Sequence, residues 1–251
     1  MSDKRRRQRR RHARVLTTDS QFDAAQAQVE VPAADFEDPA VELPADVVLA
    51  EGPVLVVTIN RPEKKNAANA EVLCRLYDAW VRPDADDDLR VAILTGKGDT
   101  FCAGMDLSVG GNVFGLDESL QPTLADMRDR RDDPAIHAGV RDTGGRVTLA
   151  IFACRKPVIA AGRGYCFGVG FELSLACDFR LVTETLLYAL PEQKLGQIPG
   201  SGGSARLQKM VDITRTKDIV MRSRRITGGQ AFDWGVATDC VPDAELEQAT
   251  D

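Results

Sequence analysis

Four short apolar runs, each closed by a proline, a glycine or a charged turn, constrain this chain more than anything else in it. PVLVVTIN ends at Arg61-Pro62, LRVAILTG (89–96) stops at Gly-Lys-Gly, and KPVIAAG (156–162) and DFRLVT (178–183) follow. Such runs are too short for core helices and are rich in β-branched residues, so they read as buried strands. Between the first two, AEVLCRLYDAWV spaces Val72, Leu73, Leu76, Ala79 and Trp80 at helical intervals, which predicts an amphipathic helix over 70–81. A helix over 145–153 leads into the third run, and SGGSARLQKMV, TRTKDIVMRS and TGGQAFDWG after Pro199 read as three short helices with glycine-rich joints. Strands alternating with helices predict an α/β fold with crossover connections.

The first 51 residues are expected to be a leader rather than part of that fold. MSDKRRRQRRRHAR is a block of like charge, and the stretch after it is rich in Ala, Asp, Glu, Gln and Pro without a sustained period. Residues 52–251 then form one domain, a size that buries a single sizeable core. The long insert between Leu107 and Arg155 reads in its first part as a loop over something. With a formal net charge of −6 the chain as a whole lacks the basic excess of a nucleic-acid binder, which leaves only the Arg-rich tail for polyanions. The six cysteines are scattered without CxxC pairs, a pattern expected of a reduced, cytoplasmic protein. Two histidines, His12 and His137, make a Ser-His-Asp triad or a histidine metal site a poor expectation. No apolar run is long enough to cross a bilayer, so no membrane is expected as a partner.

Two glycine-marked segments can aim backbone donors outward. FCAGMDL follows a strand and a turn, and GVGFELSLAC opens a helix whose first N–H groups lack intrahelical acceptors and stand at the positive end of the dipole. Either segment alone is an ordinary turn or cap. Glu172 falls in the first turn of that helix, and Glu192 follows YALP, where the proline ends a strand. Two carboxylates reaching one bound water can divide the work of proton removal and delivery.

Taken in order, INRPEKKNAAN, FCAGMDL, GYCFGVGFELSLACD and YALPEQKLGQIPGSGGSARL resemble the crotonase, or enoyl-CoA hydratase/isomerase, family over most of the chain after Pro53. The resemblance implies a crotonase-like ββα superhelix. It also implies homotrimers or hexamers, and a C-terminal helical region that is truncated here, since family members continue past ELEQATD. It assigns the backbone N–H groups of Met105 and Val169 to an oxyanion hole for a thioester carbonyl, with Val169 standing where the family usually has glycine. Glu172 is the implied base that activates water at Cβ and Glu192 the acid that protonates Cα. Lys65 and Ala67 would lie near the CoA phosphates and adenine, while Ala103, Gly104, Asp106, Leu107, Gly168 and Gly170 would line the thioester channel. Arg163 and Ala68 depart from the family's usual asparagine and leucine.

The implied activity is reversible syn addition of water to a 2-enoyl-CoA, with no metal and no cofactor beyond the coenzyme A of the substrate. Carnitinyl-CoA dehydratases and general enoyl-CoA hydratases are the most similar branch. Three alternatives stand beside it: an enoyl-CoA isomerase, which manages with one carboxylate, a carnitinyl-CoA dehydratase-like lyase, and a catalytically weak protein that binds polyanions through its Arg-rich tail.

Overall fold

The protein, as a computed structural model, is described over residues 46–50, 53–81, 83, 86–109 and 143–250. The Arg-rich block, nearly all of the expected leader and most of the 107–155 insert lie outside those residues. In chain order the elements are β1 (Val47–Ala50), β2 (Val54–Ile59), α1 (Ala70–Val81), β3 (Val91–Gly96), α2 (Thr143–Ala153), β4 (Val158–Gly162), β5 (Tyr165–Phe167), α3 (Val169–Ala176), β6 (Phe179–Thr183) and β7 (Leu187–Ala189). They continue with α4 (Gly203–Met210), α5 (Ile213–Arg222), β8 (Ile226–Thr227), α6 (Gly228–Asp233), β9 (Asp239–Val241) and α7 (Leu246–Thr250).

Six strands form the main sheet in the order β1-β2-β3-β4-β6-β9, parallel throughout except for β1, which runs antiparallel to β2. The four runs predicted as strands are its centre. A second sheet, β5-β7-β8, stands apart from the first and carries the strand that leads into α3 and the strand that ends just before Glu192. The fold is therefore the expected α/β class, with one difference at its start. β1 falls inside the stretch expected to be leader, because its VVLA run pairs Val47 with Ile59 and Ala50 with Val56. The sheet begins before residue 52.

The predicted stripe of α1 is buried without exception: Val72, Leu73, Leu76, Ala79 and Trp80 are each at most 2% exposed. Helix α3 is different. All eight of its residues are buried, so it has no solvent face and Glu172 enters the core with its neighbours. The short α7 packs on β4 and β6, and its Glu247 pairs with Arg163 in the turn after β4. Among the described residues no helix is long and apolar enough to cross a membrane.

Candidate active site

The FCAGMD segment is stitched to the rest of the protein on two sides. On one side the Cys102 N–H donates to Tyr165 O (2.9 Å) and its carbonyl accepts from the Phe167 N–H (3.0 Å), so Cys102 joins β5. On the other, the Ala103 N–H donates to Lys65 O (3.0 Å), the Ala68 N–H donates to Gly104 O (2.8 Å), and the Asp106 N–H donates to Ala68 O (2.8 Å). That last pair is a single parallel bridge between Ala68 and Met105 in which Ala68 spends both backbone groups on the residues flanking Met105. In extended backbone successive N–H groups point to opposite sides. Met105 therefore turns its N–H away from Ala68, and among the described residues it has no acceptor.

The start of α3 lies against the same segment. Gly168 has φ 52° and ψ −123°, a conformation open only to glycine. A Cβ there would come within 3.9 Å of Gly104 Cα. Gly104 itself has φ 107°, and its missing side chain leaves room for Phe167 O, which would be 3.2 Å from a Cβ. The two glycines thus bring the Met105 loop and the α3 N-terminus together. The Val169 N–H is the first of the helix and has no acceptor among the described residues. The Val169 side chain is 4% exposed and packs into the core, so the valine that replaces the family's usual glycine is turned inward. Gly170 is needed for another reason. A Cβ there would stand 2.8 Å from that of Cys102, so the glycine lets α3 close onto the Cys102 bridge.

Both candidate carboxylates sit at this end of α3, in unlike settings. Glu172 is 3% exposed, and its Oε1 accepts from the Ser201 N–H (3.0 Å) and the Gly203 N–H (3.1 Å), at the N-terminus of α4. Two donors and a positive helix end both favour the anion. Glu192 opens a short 3-10 turn (Glu192–Leu195) after Pro191. Its Oε1 lies 3.1 Å from where a Gly168 Cβ would be, and its Oε2 is buried with no hydrogen-bond partner among the described residues. Burial pushes the Glu192 carboxyl above its ordinary value, a shift that its own backbone N–H only partly offsets.

The remaining expected site residues divide. Ala103 and Gly104 belong to the stitched segment just described. The Asp106 carboxylate is buried and committed. It accepts from Ser108 Oγ (2.5 Å) and the Ser108 N–H (3.0 Å) and pairs with Arg61 at 3.1 Å. The Ser108 bonds first, and then Arg61, hold it below the usual carboxylate range despite burial. Its side chain is thus a strut, and only its backbone is available to line a channel. Leu107 is 59% exposed. Lys65 is exposed and pairs with the exposed Asp99 at 3.0 Å, so its ammonium has a carboxylate partner. Ala67 offers its carbonyl to Arg61 Nη1 (2.6 Å).

Sequence reasoning missed the residues that hold this frame. Asn66 is fully buried at φ 54°, accepts from the Arg61 N–H, and donates to Lys97 O (3.0 Å) and Thr100 O (2.5 Å). It ties the NRPEKKNAAN turn to the one before FCAGMD. Ser201 and Gly203, which donate to Glu172, and Arg206 and Thr148, which donate to Ser201 O, were likewise unmarked. The pair of glycines in GSGGSAR was their one available signal.

A profile of the enoyl-CoA hydratase/isomerase family matches residues 50–250. The chain is 38% identical over 199 residues to a carnitinyl-CoA dehydratase of Salmonella typhimurium, covering 79% of this chain and 68% of that one. Among solved structures, the enoyl-CoA hydratase from Bacillus anthracis superposes with a TM-score of 0.67 at 30% identity, over 82% of this chain and 73% of that one. The enoyl-CoA hydratase from Mycobacterium tuberculosis H37Rv gives the same four values, with TM-score 0.67, 30% identity and coverage of 82% and 73%.

Proposed function

Because the chain belongs to the enoyl-CoA hydratase/isomerase family, we propose that it adds water across the double bond of a 2-enoyl-CoA thioester, and removes it in the reverse direction. The observation that carries this reading is the contrast between two carboxylates at one end of α3, beside the Met105 and Val169 N–H groups, which have no acceptor among the described residues. The Glu172 carboxylate takes a proton from water as the oxygen bonds to Cβ. The electron pair of the double bond moves to the thioester oxygen, where the two N–H groups stabilise the enolate. Glu192, protonated, then donates to Cα, and the carbonyl re-forms. A single donor of this kind contributes about 10²–10³-fold in rate. Each step moves only protons and electron pairs, so it needs neither a metal nor a redox cofactor, and coenzyme A enters as part of the substrate. An active assembly of three or six chains, checked by sizing, completes the proposal.

The experiment is hydration of crotonyl-CoA followed by loss of enoyl absorbance. Glu172→Gln and Glu192→Gln should each lower the rate by about 10²–10⁴-fold while the thioester still binds. An isomerase would keep substantial activity on a 3-enoyl-CoA after one of the two changes, and that result would replace the hydratase reading. The 38% identity to a carnitinyl-CoA dehydratase favours a second substrate class, a 3-hydroxyacyl-CoA with a polar tail undergoing dehydration. Parallel assays of carnitinyl-CoA and 3-hydroxybutyryl-CoA separate the two by the ratio of their kcat/KM values.

A further inference from the structure

Gly202 and Gly203 each leave room for a different charged group. A Cβ at Gly203 would stand 2.8 Å from Glu172 Oε1, and one at Gly202 would collide with Arg206 Nη1. Neighbouring Cα atoms are about 3.8 Å apart, so a carboxylate and a guanidinium flank a single dipeptide. Arg206 is no surface cation. Its Nη1 donates to Ser201 O (2.8 Å), its Nη2 reaches Thr148 O (3.4 Å), and the guanidinium lies over the Phe152 ring at 5.5 Å. Ser201 O also accepts from the buried Thr148 Oγ1 (2.9 Å), while the Ser201 N–H goes to Glu172. One network thus joins α2, α3 and α4.

The guanidinium and the carboxylate also bear on one another electrically. Burial lowers Arg206 from its ordinary value, and the Glu172 carboxylate is the largest charge opposing that shift. What α2 brings to Arg206 is uncharged: the Thr148 hydroxyl and carbonyl, and the Phe152 ring.

We propose that Arg206 is a positioning residue for Glu172, clamping the Ser201–Gly203 turn onto the carboxylate and supplying the positive charge that keeps it ionised and ready to accept a proton. The inference rests on the reading of Glu172 as the base. The first arm of its test does not depend on turnover. In a double-mutant cycle by chemical denaturation at pH 7, Arg206→Met and Glu172→Gln are compared singly and together, since Gln keeps an acceptor for the two N–H groups and drops the charge. The effects on the unfolding constant should fail to multiply by about tenfold or more. Agreement with simple multiplication to within about twofold overturns the pairing. If Arg206→Met does not fold alone, the double variant decides: recovery of a folded chain supports the pairing and continued failure overturns it. In the hydration assay Arg206→Met should move the acid limb of kcat/KM to higher pH, because a carboxylate that loses a nearby cation binds its proton more tightly, and Arg206→Lys should move it back. An unmoved limb overturns the positioning role. Coupling in the cycle with no hydration of any enoyl-CoA by the wild type would instead overturn the functional reading and leave the pair standing.

Discussion

Glu172 and Glu192 are the same residue type at the same end of one helix, yet the protein treats them in opposite ways. Glu172 meets two backbone N–H groups, the N-terminus of α4 and a nearby guanidinium. Glu192 has one oxygen buried without a partner among the described residues and a carboxyl displaced upward by burial. In the proposed reaction, the division into base and acid is then set by what each carboxylate touches, not by its position along the chain. One site favours the anion and the other the neutral acid, which is the pairing that water addition requires.

The contrast can be broken most sharply at Gly203. Gly203→Ala puts a methyl against Glu172 Oε1, and displacement of that carboxylate should lower kcat by about 10²-fold. The control is Gly229→Ala, where nothing lies within 4 Å of the added Cβ and activity should be unchanged. Equal losses in the two variants would show that the effect is not local to the carboxylate.

Next in size is Asn66→Ala, which touches neither glutamate and removes the partners of Lys97 O and Thr100 O. Unfolding should become easier by about 1–3 kcal/mol, read by denaturant titration. The acid limb attributed to Glu172 should stay in place.

A smaller effect distinguishes Glu192 by the pH dependence of melting. Its folded-state carboxyl lies above the ordinary value of 4.5, so the stability linked to its protonated form is present below that value and is lost as pH rises through the raised one. Glu192→Gln should therefore melt like wild type in acid and about 1–2 °C higher at neutral pH, by calorimetry. A neutral-pH decrease would contradict the account of Glu192 as a buried acid. Smallest of all, Arg163→Ala removes the pair with the exposed Glu247 and should cost less than about 1 kcal/mol, with both glutamates unaffected.

The fold was legible because its signals are local. The apolar runs became β2, β3, β4 and β6, and the 3.6-residue stripe became the buried face of α1. β1 escaped notice because four residues following an acidic, alanine-rich stretch carry too little pattern, and only pairing with β2 makes them a strand. Glu172 and Glu192 could be marked from the resemblance of their surroundings, but their unlike settings could not. These depend on the Ser201 and Gly203 donors, on Arg206 and on the Gly168 turn, all brought close by packing. Lys65 shows the converse: as a sequence it offers a cation for phosphate, and in the fold it already has Asp99.

The Ala68–Met105 bridge carries a consequence for how this loop can vary. Since extended backbone reverses its donor at each step, the pairing of Ala68 with Gly104 and Asp106 sets which way the Met105 amide between them points. Ala103 can be replaced without turning that amide, but Gly104, at φ 107°, requires its glycine, and a residue inserted beside Met105 would shift the pairing by one and aim the amide at Ala68.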